Sequence, residues 1–544
     1  MKYLHKVGPA SAGIAFACGH HCAALVVGIL FTVLGRVEAA TVNAASPSFA
    51  DVSTAIALAA KGDTVVIPAG TATWTNTLTI TKAITLQGAG VGVTVIRDGV
   101  QSGKLIQWSL PAGLPSRLTG IEFQDGGRST YANAPGGILH IDGHNTDGSS
   151  FRFDHCKWND LNGPIVPDTV IGVFDHNTFI RNTRDFQQYI YGSRWNDQGT
   201  YGDGSWVAPI GFGSSQFLFI EDNTITNTGG GTALFTDALA GARFCLRHNT
   251  VNNAFFGDHG TESGGRIRGS RAMEVYNNVY HGSNNTGYPP GGARSSTALF
   301  HDNTMDSGYG QQWILNVYRS DSRFPVGYNG LAFGGATGMN RWDVNDPTTF
   351  FSGTAASAVS PPAADASATV TVSGSPGWST NQWVNYTLVN LSAGTGFNFG
   401  RIRSNTANTI TYATGDYERG MGFAGGNSLQ IHKVIQAIDA PGRGGGSLID
   451  PANPQPTPPA GWNNQNSNEP NYSWNNTWNN APSANTFLAH YPYTRAGEHY
   501  FDNTSMPGYT PYIYPHPLVS GVSPTPTPSP SPAPPLNLHV VSGP

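Results

Sequence analysis

The phrases Val173-Phe-Asp-His-Asn177-Thr, Phe219-Ile-Glu-Asp-Asn223-Thr, Cys245-Leu-Arg-His-Asn249-Thr, Val275-Tyr-Asn-Asn278-Val and Leu299-Phe-His-Asp-Asn303-Thr repeat one pattern. Each is an apolar strand, a polar turn residue, then Asn, then Thr or Val. The Asn positions are 46, 26, 29 and 25 residues apart, and Phe153-Asp-His-Cys156-Lys puts Cys in the Asn place 21 residues before Asn177. Tyr500-Phe-Asp-Asn503-Thr is a late copy. A period of this length built from short alternating strands is one coil of a β-solenoid, in which each rung covers the apolar face of its neighbour. Asn at one corner of successive rungs can hydrogen-bond from rung to rung, and it tolerates the left-handed backbone that a tight corner needs. The repeated Asn residues, with the flanking His155, His176 and His248, therefore read as structural.

Working outward, composition agrees with short strands and turns. The 544 residues include 68 Gly and 37 Pro, and only 12 % are charged, about half the usual share, which excludes coiled coils and charge-rich disorder. A net charge of −5 with no basic stripe excludes a nucleic-acid partner. Lysine is confined to Lys2, Lys6, Lys61, Lys82, Lys104, Lys157 and Lys433, so a lysine base has few places to stand. Lys2 and Lys6, the apolar run Ala23–Leu34 and the small residues around Ala39 read as a secretory signal peptide over residues 1–39, leaving no membrane anchor after cleavage. Cys18 and Cys22 leave with it. Cys156 and Cys245 lie about three rungs apart, roughly 14 Å at strand spacing, beyond the roughly 7 Å reach of a disulfide, and are expected to be free.

The stretch Phe49-Ala-Asp-Val-Ser-Thr-Ala-Ile-Ala-Leu-Ala-Ala-Lys-Gly-Asp-Thr-Val-Val-Ile-Pro-Ala-Gly70, followed by Leu78-Thr-Ile and Ile84-Thr-Leu-Gln-Gly88, together with Phe153-Asp-His-Cys and Phe174-Asp-His-Asn, resembles the right-handed parallel β-helix proteins of the pectate-lyase-like superfamily. The fold expected is all-β, a right-handed parallel β-helix with an inserted small antiparallel β domain. The β-helix is expected over 40–344 with a final rung at 496–520. Residues 345–495 hold the insert and a Gly/Pro/Asn-rich return, because 200 residues between Asn303 and Asn503 exceed any single rung. Within it, 368–372, 383–389, 400–412 and 429–434 alternate as strands. Residues 521–544 form a Pro-rich linker or tail.

The resemblance implies a polysaccharide partner lying over the first sheet, one short strand upstream of each Asn corner. That places Ile138–Asp142, Pro164–Asp168, Trp206–Ile210, Ala233–Asp237 and Gly265–Gly269 in this sheet, with His140, Asp142, Asp168, Asp237, Arg266 and Arg268 as groove candidates. Residues 257–271 are the densest constellation. A β-eliminating lyase needs a cation beside the uronate carboxylate and a base for the α-proton. Arg266, Arg268, His259 and Glu262 are the candidate catalytic set. Tyr189, Tyr191, Arg194, Trp195 and Asp197 offer rings and polar groups for a subsite wall, with His140 and Asp237. Asp142 and Asp168, with Asp237, are oxygen donors of the kind Ca2+ takes. The alternatives are a glycoside hydrolase, which needs two carboxylates across the bond, and a non-catalytic glycan-binding or adhesive surface protein. The hydrolase reading is weakened because polygalacturonase-like β-helices carry Gly-His-Gly and Arg-x-Lys. This chain has Asp258-His259-Gly260 and no Arg-x-Lys.

Overall fold

In the computed structural model the chain divides into two units, Met1–Glu38 and Ala39–Pro544. The structure describes residues 39–144, 146–182, 187–192, 205, 208–229, 233–258, 270–283, 289–294, 296–311, 313–315, 349–362, 366–384, 386–393, 399–413, 421–432, 441–442, 469–482, 487–489, 496–497 and 499–520. The expected signal peptide and Pro-rich tail lie outside the described residues.

Three parallel sheets wind along one coil: a twelve-stranded sheet, an eleven-stranded sheet and a seven-stranded sheet, the last continued by a three-stranded one through the Phe256–Gly291 bridge. Successive rungs pair in parallel, for example Leu139–Asp142 between Ile106–Ser109 and Ile165–Asp168. Alternation sends every second side chain inward. Trp108, Phe151, Phe153, Phe174, Phe179, Ile220 and Phe235 fill the core, so the chain is a parallel β-helix with a packed interior. The helix Phe49–Leu58 closes the first rungs. Ser48 caps its N-terminus, and Val52, Ala55 and Ile56 enter the core. The Lys82 ammonium donates to the carbonyls of Ile56, Ala57 and Ala59 at 3.0, 2.8 and 2.7 Å, placing a cation at the negative end of the helix dipole.

The Asn repeat forms a buried ladder. The side-chain amides of Asn177, Asn223, Asn249, Asn278 and Asn303 each donate to the next Asn Oδ1 at 2.9–3.0 Å, and the Cys156 backbone N–H donates to Asn177 Oδ1 at 2.9 Å. The left-handed backbone is not on these Asn residues but on the residue before each: His155, His176, Asp222, His248, Asn277, Asp302 and Asn475, with φ between 49° and 57°. The corner thus divides its two demands between neighbours, conformation to one and hydrogen bonding to the other. Cys156 and Cys245 are free and buried.

The ladder's last member is Asn476, not Asn503. The chain rejoins the solenoid at Asn471–Trp474, which pairs with Thr297–His301, ahead of the expected return at 496. The phrase Tyr472-Ser-Trp-Asn-Asn476-Thr hides this copy because its strand carries Ser and Trp rather than aliphatic residues. Tyr500–Phe501 then adds a last short strand.

Residues 504–520 are not a rung but a strap over the outer face of the twelve-stranded sheet, running back across the rungs. The Tyr509 hydroxyl donates to Glu274. Arg247 donates to the Tyr512 and Ile513 carbonyls at 2.8 and 2.9 Å, the His516 N–H donates to Glu221 at 2.8 Å, and Arg152 donates to the Leu518 carbonyl at 3.1 Å. Beneath it Val173, Phe219, Cys245 and Tyr276 form a second apolar cluster with Leu518.

The insert is a six-stranded antiparallel sheet of Thr349–Thr354, Ser428–His432, Thr387–Asn390, Phe399–Asn405, Thr409–Ala413 and Ser367–Thr371, in that order. Its own core holds Val370, Leu388, Ile402, Ile410, Ile431, Trp378 and Trp383. The expected strand 400–412 is two strands, because Thr406–Asn408 turns the chain.

Candidate functional site

The seven-stranded sheet has Ile106, Trp108, Leu139, Ile141, Ile165 and Ile190 in the core. The alternate positions therefore face outward: Gln107 and Ser109, His140 and Asp142, Val166 and Asp168. Register aligns Gln107 with His140 and Val166, and Ser109 with Asp142 and Asp168. On later rungs Tyr191 stands opposite Asp237.

His140, Asp142 and Asp168 converge, each offering a donor atom within 4.8 Å of the others. His140 Nδ1 lies 3.0 Å from the Gly136 carbonyl and its Nε2 3.0 Å from Asp142 Oδ1. Both partners are acceptors. Gln107 Nε2 donates to Asp142 Oδ2 at 2.8 Å, and Lys104 Nζ donates to Gln107 Oε1. Thr169 Oγ1 donates to Asp168 Oδ1 at 3.2 Å. The Asp142 side chain is 39 % exposed while that of His140 is 7 % exposed, so the solvent side of the cluster is Asp142. One imidazole and two carboxylates make a mixed donor set, closer to what a transition ion takes than to the oxygen shell of Ca2+. Gln107 and Lys104 were not anticipated; reading Ile106-Gln-Trp-Ser109 as one more rung of the same sheet finds Gln107.

Other expectations are corrected. Tyr189 lies inside the coil, its ring 5.9 Å from Phe179 edge-on and its hydroxyl donating to the Thr226 carbonyl at 3.4 Å. The constant register with Ala233–Ala238 sets it beside Phe235, and both rings belong to the core, which takes Tyr189 off any subsite wall. Tyr191 and Asp237 are on the outer face but nearly covered, 5 % and 2 % exposed. Asp237 Oδ1 accepts from the Ala238 N–H at 2.9 Å. The seven-stranded sheet continues after Ile165–Asp168 with Gln187–Gly192 and ends after Ala233–Ala238 with Phe255–Phe256. Of the segments assigned to it, 208–210 form no strand, and 206–207 and 265–269 lie outside the described residues. Period counting alone does not tell which of the residues between two Asn corners supply the strand. Arg194, Trp195, Asp197, His259, Glu262, Arg266 and Arg268 lie outside the described residues.

The described residues that bound 259–269 are held firmly. Buried Asp258 accepts from Ser270 Oγ at 2.5 Å, from the Arg294 N–H at 2.5 Å, and from the Ser296 N–H and Oγ at 3.2 and 2.8 Å. Burial raises its carboxyl above the ordinary range, against the pull of these donors. Ser205, Pro209 and Ile210 are held similarly. Buried Arg243 donates to the Ser205, Pro209 and Ile210 carbonyls at 2.8, 2.8 and 3.0 Å, and Arg271 pairs with Glu469 at 2.9 Å.

No protein-family model and no curated protein matches the chain. Among solved structures, a double mutant of the tailspike protein of E. coli bacteriophage HK620 is similar at 11 % identity over 68 % of this chain and 87 % of its own, with a TM-score of 0.24. The same tailspike in complex with a pentasaccharide is similar at 11 % identity over 68 % and 87 %, with a TM-score of 0.23. A mutant of it with pentasaccharide is similar at 10 % identity over 69 % and 72 %, also at 0.23. Likeness of this degree does not bear on what this chain binds or cleaves; the strand pairing above is what establishes the β-helix.

Proposed function

We propose that the chain is an exported carbohydrate-active protein of the pectate-lyase-like kind, a polysaccharide lyase that cleaves an acidic glycan by β-elimination over the outer face of the seven-stranded sheet. The observation that carries this reading is the convergence of His140, Asp142 and Asp168 on that face, in the sheet whose strand Phe255–Phe256 leads into the segment bearing His259, Glu262, Arg266 and Arg268. In the reaction a cation neutralises the uronate carboxylate, which acidifies the neighbouring C–H. A base takes that proton, and the glycosidic oxygen departs as the double bond forms. Arg266 or Arg268 supplies the cation, and the other arginine or His259 supplies the base. His140 and the two carboxylates orient hydroxyls along the sheet or hold a bridging divalent ion.

A second reading rests on the carboxylates. Asp142 and Asp168 stand on directly paired positions with oxygens within 4.8 Å, near the roughly 5 Å separation of retaining glycosidases. The deciding experiment follows absorbance near 235 nm, from unsaturated uronate, during incubation with a panel of acidic polysaccharides with and without Ca2+. A rise lost in Arg268→Ala supports the lyase. New reducing ends without absorbance support the hydrolase. Silence in both assays with retained glycan binding leaves an adhesive surface protein.

A further inference from the structure

His155 and His176 occupy the left-handed corner of successive rungs, at φ 49° and 55°. Their rings are stacked with planes 2° apart and centroids 5.1 Å apart. The His155 side chain is 58 % exposed and that of His176 45 %. Each Nδ1 is tied to the fully buried carboxylate just before it, Asp154 at 2.7 Å and Asp175 at 2.9 Å.

Those carboxylates decide the tautomer. Asp154 also accepts from Arg117 at 2.7 and 2.6 Å and from Thr119 at 2.9 Å, and Asp175 accepts from Arg152 at 2.8 and 2.7 Å. Beside a guanidinium-paired carboxylate, Nδ1 must be the donor. The neutral ring then carries its lone pair on Nε2, away from the buried acid. A histidine whose second nitrogen is fixed by a buried carboxylate is the usual arrangement of a metal ligand, and here it occurs twice on adjacent strands.

We propose that His155 and His176 form a site for a divalent transition ion such as Zn2+, bound through one Nε2 from each of two successive rungs. Bonds of about 2.0–2.1 Å to each nitrogen require the rings to lean toward each other from their present stack. Their exposure leaves room for this. Water fills the remaining positions, and the ion cross-links two coils of the solenoid. The corner does not repeat the arrangement at His248, the next histidine in this row, because Tyr514 stacks on that ring at 3.8 Å.

The test titrates ZnCl2 by calorimetry in a non-chelating buffer into the full chain carrying His140→Gln, which removes the other candidate donor set, and into the same chain with His155→Asn, His176→Asn or His248→Asn added. Asn suits the corner, since Asn277 and Asn475 hold the same backbone at φ 54° and 52°, so these variants keep the fold. The expected result is binding weakened at least tenfold by His155→Asn or His176→Asn and unchanged by His248→Asn, with a Zn2+-dependent rise in Tm that the first two variants lack. Absence of binding, its survival in both His155→Asn and His176→Asn, or its loss only in His248→Asn overturns the proposal.

Discussion

Asn223 donates to Oδ1 of Asn249 twice, from its side-chain amide at 3.0 Å and from its backbone N–H at 3.0 Å. Asn249 in turn donates to the Ile220 and Arg247 carbonyls at 2.8 and 3.0 Å and to Asn278 at 2.9 Å. One side chain therefore satisfies backbone groups on two rungs and the side-chain amide of a third inside a dry coil, where an unmade hydrogen bond is expensive.

Asn249→Leu keeps the volume and strands those groups. It is expected to cost about 3 kcal/mol, from two or more buried polar groups left unpaired. Asn503→Ser, outside the ladder, is expected to cost about 1 kcal/mol or less, since Asn503 makes no ladder bond and only its left-handed backbone at φ 48° is disfavoured in the variant. Urea denaturation of both variants checks the contrast.

The strap is held by charge at a buried pair. Arg247 meets Glu221 at 2.6 Å with both side chains fully covered, and the same guanidinium binds two strap carbonyls. Arg247→Met leaves Glu221 buried without its counter-charge, and a loss of about 3–5 kcal/mol is expected. Limited proteolysis should then cut first within 504–520.

Stability should also depend on pH through Glu274. Burial raises its carboxyl from 4.5 to about 7, against the hydrogen bonds from Tyr509 and Gly213 and the charge of Arg247. The native state keeps this proton where the unfolded chain releases it, so stability falls as pH rises from about 4.5 to about 7, by roughly 3 kcal/mol at most. Glu274→Gln should flatten that part of the Tm–pH curve and raise Tm at pH 8. A curve of unchanged slope in the variant would assign the dependence to another group.

On the outer face of the seven-stranded sheet, His140→Gln and Asp168→Asn should each lower turnover of the acidic glycan by about 100-fold or more if the cluster takes part in proton transfer. Steady-state kinetics on the substrate found by the absorbance screen gives the answer. A matching fall in Tm would show that the residues only hold the sheet together.

Burial raises the Cys156 and Cys245 thiols well above their ordinary range. Both are expected to resist iodoacetamide in the native protein and to react fully in guanidinium. Intact mass measured with and without denaturant counts them.

Much of the fold was legible because a β-solenoid repeats its chemistry. Asn177, Asn223, Asn249, Asn278 and Asn303 recur at rung spacing because each must reach the next. The 200-residue gap after Asn303 could only be an insertion. The same rule failed at Asn476, whose rung carries Ser473 and Trp474 in place of the usual aliphatic strand. It failed again in choosing strands for the seven-stranded sheet, which uses Gln187–Gly192 and Phe255–Phe256, because the spacing of the corners does not say where between them the strand lies.

The sequence by itself determined the coil, the ladder, the free cysteines and the outward face of 139–142 and 165–168, since all follow from local alternation and period. Only the tertiary structure decided what meets what. It brought His140, Asp142 and Asp168 together, put Tyr189 in the core beside Phe235, stacked His155 on His176, and laid 504–520 along the twelve-stranded sheet. Those outcomes depend on contacts between segments 21 to 366 residues apart, and within the sheets a shift of one residue exchanges the two faces of a strand.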